Sequence, residues 1–179
     1  MDPKHKMIRK DLTILNYNAN GLKRQKFELQ KLLQDKNIDI ACTETHLKPS
    51  VKMGFRNYLM YRNDRELRYG GGTAILIKTT ISHRLAPTPR LNTLEATTIF
   101  IQYNNAETLI ASAYLHPRGN LDDQDVTTLT AIHQNFIICG DLNAKHTTWN
   151  SRMDTPRGNQ LLEHAIQQQC AILGPQEPT

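Results

Sequence analysis

Two polar residues that directly follow a short apolar segment are the first candidates for chemistry in this chain. Residues 136–139 are apolar, Gly140 ends the run, and Asp141 and Asn143 come next. A short apolar run bounded by glycine predicts a buried strand, and α/β folds place functional groups at strand ends. Asp and Asn are also common turn residues, so the pair by itself is more typical of a turn than of a site.

Three other predicted strands also end in polar side chains, which are Asn18, Glu44 and Tyr114. An amphipathic segment, Leu22–Asp35, separates the first two strands and predicts a helix, so the unit is β-α-β. Strands joined by such a crossover run parallel, and we expect Asn18 and Glu44 at the same edge of the sheet. Taken alone, Glu44 is more typical of a surface carboxylate at the start of a loop than of a site.

If these strand ends converge, their side chains suit the hydrolysis of a phosphodiester. Mg²⁺ is usually bound by one or two carboxylates together with water and substrate phosphate, so Glu44 is enough to propose a magnesium site. Asp141 would then orient or deprotonate the attacking water, and Tyr114 would contact phosphate oxygens. Spacing along the chain does not establish that these side chains meet.

The remaining segments predict the elements that must position these groups. Their order, β-α-β, then several strands, then α-β-α-β, favours two packed sheets with helices outside. Three glycines at residues 70–72 open a strand instead of following one, so we interpret them as a flexible or tightly packed connection and not as a phosphate-binding loop. The other predicted elements are strands at 58–61, 73–77, 96–101 and 108–114, helices at 121–133 and 156–169, and one further strand at 171–173.

The composition narrows the class of partner. Lys and Arg number 22 against 17 Asp and Glu, for a net charge of +5, which is compatible with a polyanionic partner, nucleic acid first. No segment has the apolar length of a membrane span or the pattern of a secretory signal, so we expect no membrane partner. The three cysteines, Cys42, Cys139 and Cys170, lie far apart in apolar surroundings and are expected to be reduced core residues.

Four motifs in the chain resemble those of the endonuclease/exonuclease/phosphatase superfamily. In chain order they are Asn-Tyr-Asn-Ala-Asn-Gly-Leu at 16–22, Thr-Glu-Thr-His at 43–46, Ala-Tyr at 113–114 and Gly-Asp-Leu-Asn-Ala-Lys-His at 140–146. Within the superfamily the chain resembles the apurinic-type endonuclease domain of non-LTR retrotransposons, especially the jockey-like branch, for which Trp149 and Arg-Gly-Asn at 157–159 are typical. The resemblance covers residues 11–179 and implies a two-sheet α/β sandwich (DNase I-like), incomplete at the C-terminus, after a basic extension at 1–10.

The resemblance also implies a role for each matched residue. Glu44 would be the metal ligand and Asn18 an amide on the metal and phosphate side. Tyr114 would contact the scissile phosphate, Asp141 would act on the nucleophilic water, and Asn143 would hold phosphate oxygens or help bind metal. Residues expected to support these groups or to contact DNA are Asn20, His46, His146 and Arg118. The implied cofactor is Mg²⁺, with Mn²⁺ as a substitute.

The implied activity is the nicking of double-stranded DNA by a nuclear retrotransposon polyprotein whose reverse transcriptase domain lies C-terminal to this one. Two departures bear on it: His116 stands where the family usually has proline, and the Ser-Asp-His segment that supplies the catalytic histidine is absent from these 179 residues. We therefore expect little or no nicking by this chain. The alternatives are an inactive remnant with at most non-specific, salt-sensitive DNA binding and, less favoured, a lipid or inositol phosphoesterase of the same superfamily.

Overall fold

Apolar and β-branched segments form the strands of this protein, and segments of helical periodicity form its helices. A computed structural model describes residues 11–65 and 70–175, so the predicted extension at 1–10 lies outside the described residues. Within the described part the strands are β1 Ile14–Tyr17, β2 Ile40–Glu44, β3 Tyr58–Asn63, β4 Thr73–Lys78, β5 His83–Leu85, β6 Leu94–Tyr103, β7 Ala106–Leu115 and β8 Phe136–Asp141. The helices are α1 Leu22–Asp35, α2 Asp123–Thr130 and α3 Pro156–Gln167, with a 3₁₀ turn at Thr147–Trp149.

The strands form two mixed four-stranded sheets, with the orders β1-β2-β4-β3 and β5-β6-β7-β8. The predicted β-α-β unit is confirmed, because β1 and β2 are parallel and α1 connects them. A second such unit is formed by β7, α2 and β8, whose strands are also parallel. Each sheet therefore contains a parallel pair whose carboxyl ends lie side by side.

Apolar side chains of the two sheets meet in a shared core. One cluster joins Ile40, Cys42 and Ile75 of the first sheet to Ile99 and Ile110 of the second. Successive strand residues point to opposite faces, so the next residues along each strand are available to pack against helices. The fold is thus the predicted α/β sandwich, with the core between the sheets.

The helices cover the outer faces of the sandwich. The predicted apolar stripe of α1 is buried, and Leu29 and Leu33 pack against Leu76 of β4. Val126 and Leu129 of α2 pack against β6 and β7 on the other sheet. Helix α3 begins as predicted, because the Thr155 side chain accepts a hydrogen bond from the Gly158 amide.

Several local predictions need correction. Residues 171–173 form no strand in the part of the chain that the structure describes, because no strand pairs with them, and Leu173 is 93% exposed. The three-residue strand β5 was not predicted, since so short a segment has little periodicity. Cys42 is buried as expected, whereas Cys139 and Cys170 are only partly buried. No helix within residues 11–65 and 70–175 is long and apolar enough to cross a membrane.

Candidate active site

The carboxyl ends of both parallel strand pairs converge on one cleft of about 370 Å³. Strands β1 and β2 contribute from one sheet, and β7 and β8 contribute from the other. The residues that line the cleft are Asn18, Asn20, Glu44, His46, Tyr114, Pro117, Asp141 and Asn143. The structure thus brings together the five residues to which the resemblance assigned direct roles, along with Asn20 and His46.

The approach of β8 to β7 depends on Gly140. A Cβ atom at this position would lie 1.7 Å from the carbonyl oxygen of Ala113, its partner in β7. The Gly140 carbonyl also accepts a hydrogen bond of 3.1 Å from the Asn16 side chain, which ties β8 to β1 of the other sheet. These contacts place the next residue pair, Tyr114 and Asp141, side by side in the β7–β8 register at the edge of the cleft.

Hydrogen bonds to both carboxylate oxygens hold Asp141 in place. Its Oδ1 accepts from the Asn143 amide at 2.9 Å, and its Oδ2 accepts from Asn18 Nδ2 at 3.1 Å. The Asn18 side-chain oxygen in turn accepts from the Asn20 backbone amide at 3.1 Å. These donors fix the orientation of the carboxylate, so this arrangement suits a group that must face a water in the cleft.

Asn143 is held in a turn directly after β8. Its backbone φ of 47° lies in the left-handed region, which asparagine tolerates better than most residues. Its side-chain Nδ2 donates to the Leu115 carbonyl at 2.9 Å. A cation or donor approaching this side chain must therefore bind its Oδ1.

Glu44 is 9% exposed and is surrounded by donors. Its Oε1 accepts from the Gly71 amide at 3.1 Å and lies 2.6 Å from His46 Nε2. The Tyr114 phenol lies close enough to the same carboxylate for the two groups to interact. His46, which was predicted to support the site or contact DNA, thus contacts Glu44 and also lines the cleft.

The phenol of Tyr114 stays protonated at neutral pH. Burial raises its pKa to about 12, with further increases from the charge and hydrogen bond of Glu44, while Arg65 nearby opposes the shift. A phenol with so high a pKa acts as a hydrogen-bond donor and not as a base.

Two predicted residues lie outside the cleft. His146 stacks against Trp149 with ring centroids 5.1 Å apart, and its Nδ1 accepts from the Thr148 amide at 3.1 Å, so it caps the 3₁₀ turn. Arg118 is exposed, and its described hydrogen bond runs from its backbone amide to His116 Nδ1 at 3.1 Å. A DNA contact by Arg118 stays a prediction, and His116 stabilises the loop that carries Pro117.

Three residues that support the cleft were missed as site residues. Arg157 of α3 donates to the carbonyls of Asn143 and Pro117, and so joins two loops that line the cleft. Glu95 of β6 pairs with Arg65 and accepts from the Gly72 amide. Bonds between distant segments leave no periodic signal in the sequence, although the Arg-Gly-Asn motif at 157–159 did mark the first of them.

The oxygen donors of the cleft fit a small divalent cation. The described residues contain no group of three or more His, Cys, Asp or Glu arranged to hold a metal ion. Mg²⁺ needs no such cage, because it keeps several waters and takes only one or two carboxylates. Glu44 and Asp141, with the amide oxygens of Asn18 and Asn143, supply that kind of donor set.

A two-sheet α/β sandwich with a polar cleft at its strand ends defines the DNase I-like class of folds. The chain belongs to the Endonuclease/Exonuclease/phosphatase family, whose sequence model matches residues 15–178. The structure is similar to the endonuclease domain of TRAS1, a telomere-specific non-LTR retrotransposon, with a TM-score of 0.75 and 21% identity over 92% of this chain and 75% of that one. It is also similar to an AP endonuclease from Leishmania major, with a TM-score of 0.63 and 13% identity over 88% of this chain and 66% of that one.

Curated relatives are proteins of mobile elements. The chain is 32% identical over 181 residues to the RNA-directed DNA polymerase from mobile element jockey of Drosophila melanogaster. It is 27% identical over 173 residues to the probable RNA-directed DNA polymerase from transposon BS of the same organism. These matches cover 97% and 94% of this chain but only 19% of either relative. The predicted resemblance to retrotransposon endonuclease domains is thereby confirmed.

Proposed function

We propose that this domain is a metal-dependent phosphodiesterase that nicks double-stranded DNA for a retrotransposon. The observation that carries the proposal is the convergence of Asn18, Glu44, Tyr114, Asp141 and Asn143 on one cleft at the ends of four strands. These groups together can bind a cation, hold a phosphate and orient a water. The relatives of this chain are proteins of mobile elements, and for that reason we propose DNA as the substrate in preference to a lipid or inositol phosphate.

Glu44 and Asn18 would hold the cation, Mg²⁺ or Mn²⁺. When bound, the cation would offset negative charge on the phosphate during hydrolysis. Glu44 suits this position because His46 and the Gly71 amide fix its Oε1. Asn18 suits it because its amide nitrogen donates to Asp141, and its side-chain oxygen, which the Asn20 amide holds in place, is the atom that would bind the cation.

Asp141 would accept a proton from the attacking water. Its two oxygens are oriented by the Asn143 amide and by Asn18, so its remaining lone pairs have a defined direction. Tyr114, protonated at neutral pH, would donate a hydrogen bond to a non-bridging phosphate oxygen. Asn143 would stabilise charge on the same phosphate or complete the cation site.

The cleft offers no evident general acid to protonate the leaving 3′-oxygen among the residues that the structure describes. Among the described residues that line the cleft, His46 is the sole imidazole, and it is engaged with Glu44. General acid catalysis typically contributes 10²–10⁴-fold to a rate. We propose that these 179 residues nick DNA slowly or not at all. The alternative of an inactive remnant predicts at most salt-sensitive DNA binding.

The proposed biological context is a nuclear polyprotein that carries a reverse transcriptase C-terminal to this domain. The chain spans about a fifth of the length of its curated relatives, which are named RNA-directed DNA polymerases. The nick would leave a 3′-hydroxyl for that polymerase to extend. The net charge of +5 suits binding to DNA phosphates.

A nicking assay on supercoiled plasmid with Mg²⁺ tests the proposal, with and without added free imidazole. We expect slow nicking that imidazole accelerates, and no nicking in Glu44→Ala or Asp141→Asn. The exposed variant Arg152→Ala is the matched control and should nick like the parent chain. Nicking that persists in Glu44→Ala would refute the assigned site, and DNA binding without nicking in any condition would favour the inactive remnant.

A further inference from the structure

The three glycines at residues 70–72 form a turn, here called the glycine turn, that holds two carboxylates. All three glycines have left-handed φ values of 78°, 76° and 76°. The Gly71 amide donates to Glu44 Oε1 at 3.1 Å, and the Gly72 amide donates to Glu95 Oε2. Successive amides that point into one concave turn are a recurring way to bind anions.

The carbonyls of the glycine turn bind the backbone just after Glu44. The Thr45 amide donates to the Gly72 carbonyl at 2.9 Å, and the His46 amide donates to the Gly71 carbonyl at 2.8 Å. Gly71 and Gly72 are thus each bound through both their nitrogen and their oxygen. Because three of these four bonds fall on residues 44–46, the position of the turn sets the position of the Glu44 carboxylate.

Glu95 anchors the glycine turn to the other sheet. Glu95 lies in β6 directly opposite Tyr114 of β7, so the two residues are held by the same antiparallel strand pair. Its Oε1 also accepts from Arg65 Nε at 2.6 Å. Arg65 packs closely on Gly71, where a Cβ atom would come within 2.6 Å of the guanidinium carbon. A side chain at Gly71 would therefore displace either the turn or Arg65.

We propose that Glu95 is a positioning residue, which acts through the glycine turn to hold Glu44 in the geometry that binds the divalent cation. The inference rests on the proposed function in that Glu44 is taken as the metal ligand. Partners that orient a metal ligand typically contribute 10–100-fold to metal affinity. The sandwich therefore couples its two sheets at the metal site, with Glu44 on one sheet and its anchor on the other.

The test compares Glu95→Gln with Glu107→Gln. Both substitutions remove the acidic partner of an arginine, but Glu107 pairs with Arg84 away from the cleft. Mn²⁺ affinity, measured by electron paramagnetic resonance of the free ion, should fall at least 10-fold in Glu95→Gln and stay unchanged in Glu107→Gln. Glu44→Ala defines the signal for loss of the site.

A second measurement follows the turn itself without any metal. Hydrogen exchange of the Gly71 and His46 amides, resolved by NMR, should accelerate at least 10-fold in Glu95→Gln, while the amides of β4 keep their protection. If Glu95→Gln fails to fold, Glu95→Asp replaces it, because the shorter carboxylate cannot reach both Gly72 and Arg65.

The two measurements separate the proposals. Faster exchange with weaker Mn²⁺ binding supports the positioning role. Unchanged exchange and unchanged affinity in Glu95→Gln overturn it. If the parent chain binds no Mn²⁺, the proposed metal site fails, and the exchange data alone then decide whether Glu95 holds the turn.

Discussion

Replacing Gly140 with alanine should destabilise the protein strongly, although the substitution changes no polar or charged side chain. The new Cβ would lie 1.7 Å from the Ala113 carbonyl oxygen, far inside any allowed contact distance. That oxygen belongs to the strand paired with β8, so it cannot move away without disturbing the β7–β8 ladder. The backbone φ of 149° is also one that residues with a side chain rarely adopt.

The cost follows from these two effects. A backbone conformation unsuited to the residue costs about 1–3 kcal/mol, and overpacking a filled site costs about 1–3 kcal/mol more. We expect the free energy of unfolding to fall by about 2–6 kcal/mol, against a total of about 5–15 kcal/mol for a typical domain.

Urea unfolding followed by circular dichroism measures this loss. Gly54→Ala is the matched control, because a Cβ there meets no atom within 4 Å, and its effect should stay within about 0.5 kcal/mol. Equal slopes of free energy against urea are needed to compare midpoints. If Gly140→Ala unfolds at the same urea concentration as Gly54→Ala, the inference that β8 lies too close to β7 for a Cβ atom at residue 140 is refuted.

Two further predictions concern other polar supports of the fold. Burial alone would raise the pKa of Asp125, but hydrogen bonds from Asn92, Leu94 and Thr93 lower the pKa below its usual value. The ionised carboxylate therefore stabilises the fold above about pH 4, and this contribution is lost as the pH falls through the folded-state pKa. Asp125→Asn should therefore unfold more easily at pH 7 and show a smaller loss of stability on acidification below pH 4, and an unchanged acid profile would contradict this. Arg157→Ala should speed hydrogen exchange of the Asn143 amide and cost about 1–3 kcal/mol, because it removes donors to the Asn143 and Pro117 carbonyls, whereas the exposed Arg152→Ala should do neither. Equal effects of the two arginine substitutions would remove any special role for Arg157.

Local patterns were sufficient for most of the secondary structure. The apolar stripe of α1 predicted that helix, and the Thr155 cap of α3 is equally local, because periodicity and capping act within a few residues. The turn at Asn104 and Asn105 is local in the same sense, because both residues have the positive φ values that two-residue hairpins prefer. The strand predicted at 171–173 was wrong, since a strand needs a neighbour to pair with and sequence pattern does not supply one.

The sequence alone determined which side chains stand at strand ends and that Asn18 and Glu44 share an edge, because a β-α-β crossover has a fixed handedness. The tertiary structure alone decided how the two sheets meet. Asp141 is bound by Asn18 from the other sheet, and Glu44 is bound by a glycine turn that Glu95 anchors from across the sandwich. These contacts join residues tens of positions apart, where neither spacing nor composition carries a signal. The same physical reason explains why His146, inside a motif, caps the 3₁₀ turn while Glu95, outside every motif, supports the cleft.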